Sequence, residues 1–147
     1  MAQDSGATVH CAGIQFPASQ VADSDANALD DYEEGTWTAV SAAGLSLTLE
    51  QNKYVKVGKL VTATMIVTFP TTSNSDLVSL SLPITADTIS SSSGGAIIEQ
   101  NINSSQSYTA AVDGANILRV RLRGSTSQTN GQLSGKKIRF VITYHSA

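Results

Sequence analysis

The sequence predicts an all-β protein, a single jelly-roll-like β-sandwich preceded by an extended acidic N-terminal arm. From Thr36 onward, apolar residues alternate with hydroxyl or charged residues at the period-two spacing of strands. No segment carries a helical apolar stripe longer than two turns. Twenty Ser and fifteen Thr supply the polar faces, so charged residues reach only 14%. Eight to ten short strands at this spacing indicate two stacked sheets.

The alternation places each predicted strand. It is strongest in five segments, residues 45–49, 61–69, 78–82, 118–122 and 138–144. Shorter strands are predicted at residues 36–40, 54–57, 85–90, 95–100 and 108–112. Turn residues separate these runs, and Asp113-Gly114 between two strands predicts a β-hairpin.

The first 35 residues differ from the rest in pattern and in charge. Residues 1–35 show no sustained period and hold six carboxylates between Asp23 and Glu34, which predicts an extended arm ahead of a sandwich domain at 36–147. The charge is −8 before Lys53 and +5 from there onward. Such a division favours docking of the front of the chain on the back, within or between subunits.

Composition narrows the environment in which the chain acts. A single cysteine excludes an intramolecular disulfide framework. The start has neither a basic stretch nor an apolar run, so no secretory signal is expected. No stretch approaches the ~20 apolar residues that span a bilayer. We therefore expect a protein made in a cytoplasm, with no membrane insertion.

The acidic segment partly matches a calcium-binding loop. Asp23, Asp25, Asn27 and Glu34 occupy ligand positions with the required spacing. Position six of such a loop needs Gly for its sharp turn, and Ala28 stands there. The sequence therefore predicts no metal site.

Enzymatic motifs are missing from the sequence. His10, Cys11 and His145 are too few for a zinc site of three or four ligands. There is no nucleophile elbow, phosphate loop or dinucleotide fingerprint, and the carboxylates outside the arm are scattered. The chain is predicted to have no enzymatic activity and no cofactor.

Three arginines on one strand form the clearest basic feature. Arg119, Arg121 and Arg123 share a strand face, which Lys137 and Arg139 could extend. Nucleic-acid binding is not expected, because interleaved aromatic residues are missing and the net charge is −3. Two interpretations stay open: a solvated strand face, or a surface that docks the acidic segment.

Trp37 directly follows the acidic run and is the only tryptophan. A buried Trp contributes a large apolar area, so we expect it to anchor the start of the domain, with sugar binding by an exposed ring as the alternative. The candidate partner-binding residues are Asp30, Asp31, Glu33, Glu34, Trp37, Arg119, Arg121 and Arg123.

Two stretches carry a family resemblance. Residues 13–20 (GIQFPASQ) and 27–38 (NALDDYEEGTWT) resemble a segment that recurs in bacteriophage and prophage virion proteins of the tail-fibre, head-fibre and capsid-decoration type, just ahead of a C-terminal β-domain. Residues 54–61 (YVKVGKLV) are similar to a second stretch early in that domain. The matches cover about a quarter of the chain, and Ala39 stands where Pro is common.

The resemblance implies a non-enzymatic protein of the virion surface, commonly a homotrimer with jelly-roll-like domains. The sequence shows no coiled-coil heptads or repeats for a shaft. We therefore expect a capsid decoration (cement) protein or short head fibre that is anchored by its arm to phage capsid proteins. The alternative is a tail-fibre tip, in contact with tail proteins, that attaches to a host surface glycan or protein. A depolymerase is disfavoured by the sparse carboxylates.

Overall fold

The computed structural model describes residues 32–87, 94–100, 108–113, 116–122 and 127–147. These residues form eight strands and no helix, which confirms the all-β prediction. The strands are β1 (Tyr32–Thr36), β2 (Thr48–Val57), β3 (Leu60–Thr68), β4 (Leu80–Ser81), β5 (Gly94–Gln100), β6 (Tyr108–Val112), β7 (Ile117–Leu122) and β8 (Lys137–His145).

All strand pairs are antiparallel, and the order is β1-β2-β3-β8-β5-β6-β7-β4. The predicted hairpin at Asp113 joins β6 to β7, and the Asp113 amide donates to the Ile117 carbonyl at 2.8 Å. β8, the last strand in sequence, lies between β3 and β5. The ladder bends so that its two halves enclose one core, an arrangement consistent with a β-sandwich.

Alternate residues of four strands supply most of that core, and Leu80 of β4 and several loop residues complete it. Buried side chains come from β3 and β8 in one half and from β6 and β7 in the other, and they form a single cluster. The β3 and β8 members are Val61, Ala63, Met65, Val67, Ile138, Phe140, Ile142 and Tyr144. Burial of apolar area stabilises the fold by roughly 25 cal/mol per Å², so this shared cluster stabilises the packing of the two halves against each other.

The chain that leaves β1 reaches the opposite end of the ladder. The Ala42 amide donates to the Ser79 carbonyl at 2.9 Å, and the Ser81 amide donates to the Val40 carbonyl at 3.0 Å. The Val40 amide donates to the Ser81 hydroxyl at 2.9 Å. Unpaired strand edges expose backbone donors and acceptors. The segment after β1 therefore covers the β4 edge.

β2 corrects the prediction of two separate strands at residues 45–49 and 54–57. It runs unbroken from Thr48 to Val57, with a register shift between Glu50 and Lys53 and a positive φ of 53° at Gln51. The bulge adds a residue to one strand. Inward-facing residues of β2 therefore have odd numbers before the bulge and even numbers after it. This change interrupts the apolar alternation in the sequence.

The predicted boundary between arm and domain falls inside a strand. Residues 32–35, which the sequence assigned to the arm, form β1 together with Thr36 and pair with β2 from Tyr32↔Val57 to Thr36↔Lys53. The strand predicted at 36–40 is not formed, because residues 37–40 lie beyond the end of β1. β1 has mostly exposed side chains, so it lacks an apolar alternation. The remainder of the arm, residues 1–31, lies outside the described residues.

A buried asparagine joins the two loops that flank β4 and β8. Asn130 is 0% exposed, and its Nδ2 donates to Asn74 Oδ1 at 2.9 Å and to the Asp76 carbonyl at 3.1 Å. The Asn130 and Gly131 amides donate to the Asp76 and Asn74 carbonyls at 2.9 and 2.7 Å. The sequence indicated only that turn residues separate the predicted strands on either side of these loops. The structure shows a polar connection between distant loops.

Candidate functional site

Three predicted site residues, Glu33, Glu34 and Trp37, lie in or next to the β1–β2 pair and make specific hydrogen bonds there. Gly35 lies opposite Tyr54 in the register. A Cβ on Gly35 would lie 3.0 Å from Tyr54 Cε1, so the glycine leaves room for the tyrosine ring. The Tyr54 hydroxyl donates a hydrogen bond to Glu33 Oε1. One tyrosine thus covers an edge-strand glycine and binds a carboxylate of the same strand.

Trp37 and Asn52 secure the end of β1. The Trp37 amide donates to the Asn52 carbonyl at 3.2 Å, and Asn52 Nδ2 donates to the Trp37 carbonyl. The Trp37 side chain belongs to the core cluster and is 7% exposed, in agreement with its predicted role as an anchor. Its Nε1 is buried without a hydrogen-bond partner. This tryptophan therefore fixes β1 to the domain through its ring and its backbone.

Both tyrosines of this pair have raised pKa values. The hydrogen bond to Glu33 raises the pKa of Tyr54 from 10.0 to about 12, with smaller contributions from burial and from the Glu33 charge. The Tyr32 hydroxyl donates to Glu34 Oε2 at 3.0 Å, and this bond, followed by the Glu34 charge, raises the pKa of Tyr32. The acidic motif therefore binds protonated tyrosines of its own chain.

Alkaline pH should weaken the contact between β1 and β2. Because the folded-state pKa of Tyr54 is about 12 and the ordinary value is 10.0, its stabilising contribution is complete below pH 10 and is lost as pH rises through 12. We expect wild-type stability to fall more steeply across this window than that of Tyr54→Phe. Urea unfolding followed at a series of pH values measures both slopes.

A second tyrosine, Tyr144, adds its own pH dependence to the stability of both proteins in that experiment. Its pKa is also raised to about 12, chiefly by burial, and its hydroxyl donates to the Ile84 carbonyl at 2.8 Å. Tyr144 is present in both proteins, and the Tyr54 charge contributes the smallest part of its raised pKa, so the difference between the slopes reports Tyr54 together with this coupling. Parallel slopes would show that the Tyr54–Glu33 bond does not contribute to folding stability.

Two of the three predicted arginines contact their own hairpin. Arg119 Nε lies 3.1 Å from Asp113 Oδ2, and its NH1 donates to the Val78 carbonyl at 3.1 Å, with 18% of the side chain exposed. Arg121 NH2 lies 4.0 Å from the same carboxylate oxygen, and 41% of that side chain is exposed. Arg123 lies outside the described residues. These contacts favour a local structural role for Arg119 and leave Arg121 at the surface.

The predicted extension of the arginine face by Lys137 and Arg139 is wrong. Both residues are on β8, and the strand order places β5 and β6 between β8 and β7. At about 4.8 Å per strand, the two basic groups are roughly 14 Å apart along the sheet. In addition, Lys137 Nζ pairs with Glu50 Oε1 at 2.7 Å.

Other candidate residues fall on the part of the chain that is not described. Asp30 and Asp31 lie there, as do the remaining calcium-loop positions at 23–28 and the His10–Cys11 pair. Among the described residues, no group of three or more His, Cys, Asp or Glu side chains could hold a metal ion.

The outer face of β1, β2 and β3 carries an exposed apolar area that was not predicted from the sequence. Tyr32, Val55, Val57 and Leu60 are 37, 39, 43 and 46% exposed. Tyr32 lies opposite Val57, and Val57 lies opposite Leu60. The alternation in the sequence did not indicate which face of β2 points outward, because the bulge at Gln51 sets that orientation.

No known protein family, curated protein or solved structure matches this chain. None of the described segments is a helix long and apolar enough to cross a membrane.

Proposed function

We propose that this chain is a non-enzymatic structural protein of the phage virion surface. In this proposal the β1–β2 pair fastens the N-terminal segment to the sandwich. One observation carries it: the stretches that resemble virion proteins, residues 27–38 and 54–61, contribute adjacent antiparallel strands.

Contacts between the two stretches explain why they occur together. Gly35 of the first gives space to Tyr54 of the second, and Glu33 of the first accepts the Tyr54 hydrogen bond. Trp37 then inserts into the core immediately after the strand. The β1–β2 pair thus gives a structural reason for glycine at 35, glutamate at 33 and tyrosine at 54. This supports a module that joins an N-terminal segment to a β-domain.

Within this class we propose a homotrimeric capsid decoration (cement) protein or short head fibre. Its partners are further copies of the chain and the capsid protein of the particle, with residues 1–31 as the attachment segment. The alternative, a tail-fibre tip, differs in its partner, which would be a host surface glycan or protein. Binding to isolated capsids or to host cells therefore distinguishes the two.

The test compares the full chain with a variant that lacks residues 1–31. This cut keeps every described strand, whereas a cut after residue 35 would remove most of β1. We expect the full chain to sediment with capsids that lack it. The shortened chain should keep its β-type circular dichroism and its Trp37 fluorescence but remain in the supernatant, because attachment and core burial are separate.

Three other outcomes are informative. Binding of the full chain to host cells instead of capsids would replace the cement assignment with the tail-fibre tip. Equal capsid binding by both proteins would move the attachment site into the β-domain. Binding to neither capsids nor cells, together with no antibody labelling on virions, would contradict the proposed function.

A further inference from the structure

The sequence contains one Asn-Gly pair, Asn130-Gly131. In an unfolded chain an asparagine followed by glycine is especially prone to deamidation, because glycine has no side chain to obstruct attack by its own amide nitrogen. The pair lies in the loop at residues 127–136, and it is hydrogen-bonded to the loop at residues 70–77. A chemically labile dipeptide therefore joins two distant parts of the chain.

Deamidation of such a pair is an intramolecular substitution that needs only water as co-reactant. The Gly131 amide nitrogen gives up its proton and attacks Asn130 Cγ, so that a C–N bond forms and the side-chain nitrogen leaves with that proton as ammonia. Water then adds to one carbonyl of the succinimide ring and breaks its C–N bond. Addition at Cγ produces aspartate, and addition at the backbone carbonyl produces isoaspartate.

Packing of the two loops requires both residues of the pair. A Cβ on Gly131 would lie 3.1 Å from the Asn74 carbonyl oxygen and 3.5 Å from the Ser73 carbonyl carbon, so any larger residue would force two backbone segments apart. Asn130 supplies both side-chain donors, to Asn74 Oδ1 and to the Asp76 carbonyl. The close approach of the loops thus explains why a labile dipeptide stands at this position.

The folded structure restrains each group that takes part in the reaction. The attacking group, the Gly131 amide, donates to the Asn74 carbonyl at 2.7 Å. The leaving nitrogen, Asn130 Nδ2, donates to two acceptors at 2.9 and 3.1 Å. The Leu133 amide donates to the Asn130 carbonyl at 3.2 Å, which fixes the backbone between the reacting groups. Because Asn130 is also 0% exposed, ring closure requires the two loops to separate.

We propose that Asn130-Gly131 is a deamidation site that the closed loops keep unreactive and that separation of the loops activates. The product does not fit the closed arrangement. Asn74 Oδ1 and the Asp76 carbonyl both need a donor, and a carboxylate has none. Asn130 Oδ1 is buried without a hydrogen-bond partner, so a second acceptor oxygen would gain no compensation there. Deamidation therefore makes a transient opening of the loops permanent.

The experiment follows the full chain by peptide mapping after incubation at mildly alkaline pH. Trypsin cleaves after Arg123 and Lys136, and the peptide 124–136 contains Asn130 as its only asparagine. Deamidation adds about 1 Da, because OH replaces NH2, and fragmentation assigns the change to Asn130; an unincubated sample corrects for conversion during digestion. We expect the folded chain to keep this peptide unmodified over the time in which the urea-unfolded chain is converted.

Asn74→Ala loosens the loops without changing the pair itself. It removes the Oδ1 acceptor of Asn130 Nδ2, and conversion of the folded variant should be at least about tenfold faster than that of wild type, because loss of a buried hydrogen bond raises the open population by about that factor. The matched control is Gln132→Ala, which removes an exposed bond in the same turn and should react like wild type.

A second measurement covers the case in which Asn74→Ala does not fold. In wild type, urea below the unfolding transition should raise the conversion rate in parallel with amide hydrogen exchange in both loops. Equal conversion rates in the folded and the unfolded wild type would overturn the proposed protection. No conversion in the unfolded chain would show that the pair is not a deamidation site.

Asn130→Asp tests the consequence of the reaction, since it installs the aspartate product directly. This variant should exchange amide hydrogens rapidly in both loops and unfold at a lower urea concentration than Asn130→Ala, because it places an unpaired carboxylate where alanine leaves only a cavity. Stability and exchange equal to those of wild type would show that the product closes normally, which would contradict a permanent opening.

Discussion

Trp37→Ala is expected to destabilise the domain by about 3–5 kcal/mol, the range for removal of a large aromatic side chain from a packed core. The Trp37 ring is 7% exposed within the core cluster, immediately after β1. Its loss should also loosen β1, because the backbone of Trp37 pairs with Asn52. Urea unfolding followed by far-UV circular dichroism measures the change, since the only tryptophan is removed.

Trp37→Phe is the control for this experiment. Phenylalanine retains a ring and removes the indole N–H, which is buried without a partner. A buried unsatisfied donor costs about 1–3 kcal/mol, so its removal should offset part of the lost packing. The Phe variant is therefore expected to be clearly more stable than the Ala variant. A loss below about 1 kcal/mol for Trp37→Ala would contradict the anchor role.

Asn130→Ala should cost about 1–3 kcal/mol, because it removes two hydrogen bonds in a fully buried site and leaves a cavity, while removal of the buried Asn130 Oδ1, which has no hydrogen-bond partner, offsets part of this cost. The lost bonds join Asn130 to Asn74 Oδ1 and to the Asp76 carbonyl. Asn130 and Asn74 lie in loops at 127–136 and 70–77, so amide hydrogen exchange should rise in both loops together.

Gln132→Ala provides a control in the same turn. Gln132 is exposed, and its Oε1 accepts a hydrogen bond from the Thr129 amide at 2.8 Å. This bond is local and open to water, so its removal should change stability by less than about 1 kcal/mol. Similar losses in the two variants would show that the buried connection between the loops adds nothing beyond an ordinary turn contact.

Most of the correct strand predictions came from the alternation of apolar and polar residues within each strand. β6 was predicted at 108–112, and the structure has the strand Tyr108–Val112. The alternating apolar residues at 61–69 and 138–144 are buried as expected. Because a strand turns successive side chains to opposite faces, one buried face is recorded directly in the sequence.

The candidate site was predictable only in part. Trp37 was expected to be an anchor and is buried. Its neighbour Glu33 was proposed as a partner-binding residue, and the structure shows it bound to Tyr54, twenty-one positions away in sequence. No local pattern links an acidic motif to a distant tyrosine, so this contact required knowledge of the pairing between β1 and β2.

The sequence by itself determined the all-β class, most strand positions and the composition of the core, because these follow from side-chain alternation within each strand. Tertiary structure alone decided that β8 lies between β3 and β5, which separates Arg139 from Arg119. It also decided the bulge at Gln51, which turns Val55 and Val57 outward. Strand order and register depend on contacts between residues far apart in sequence, and these form only when the whole sheet closes around one core.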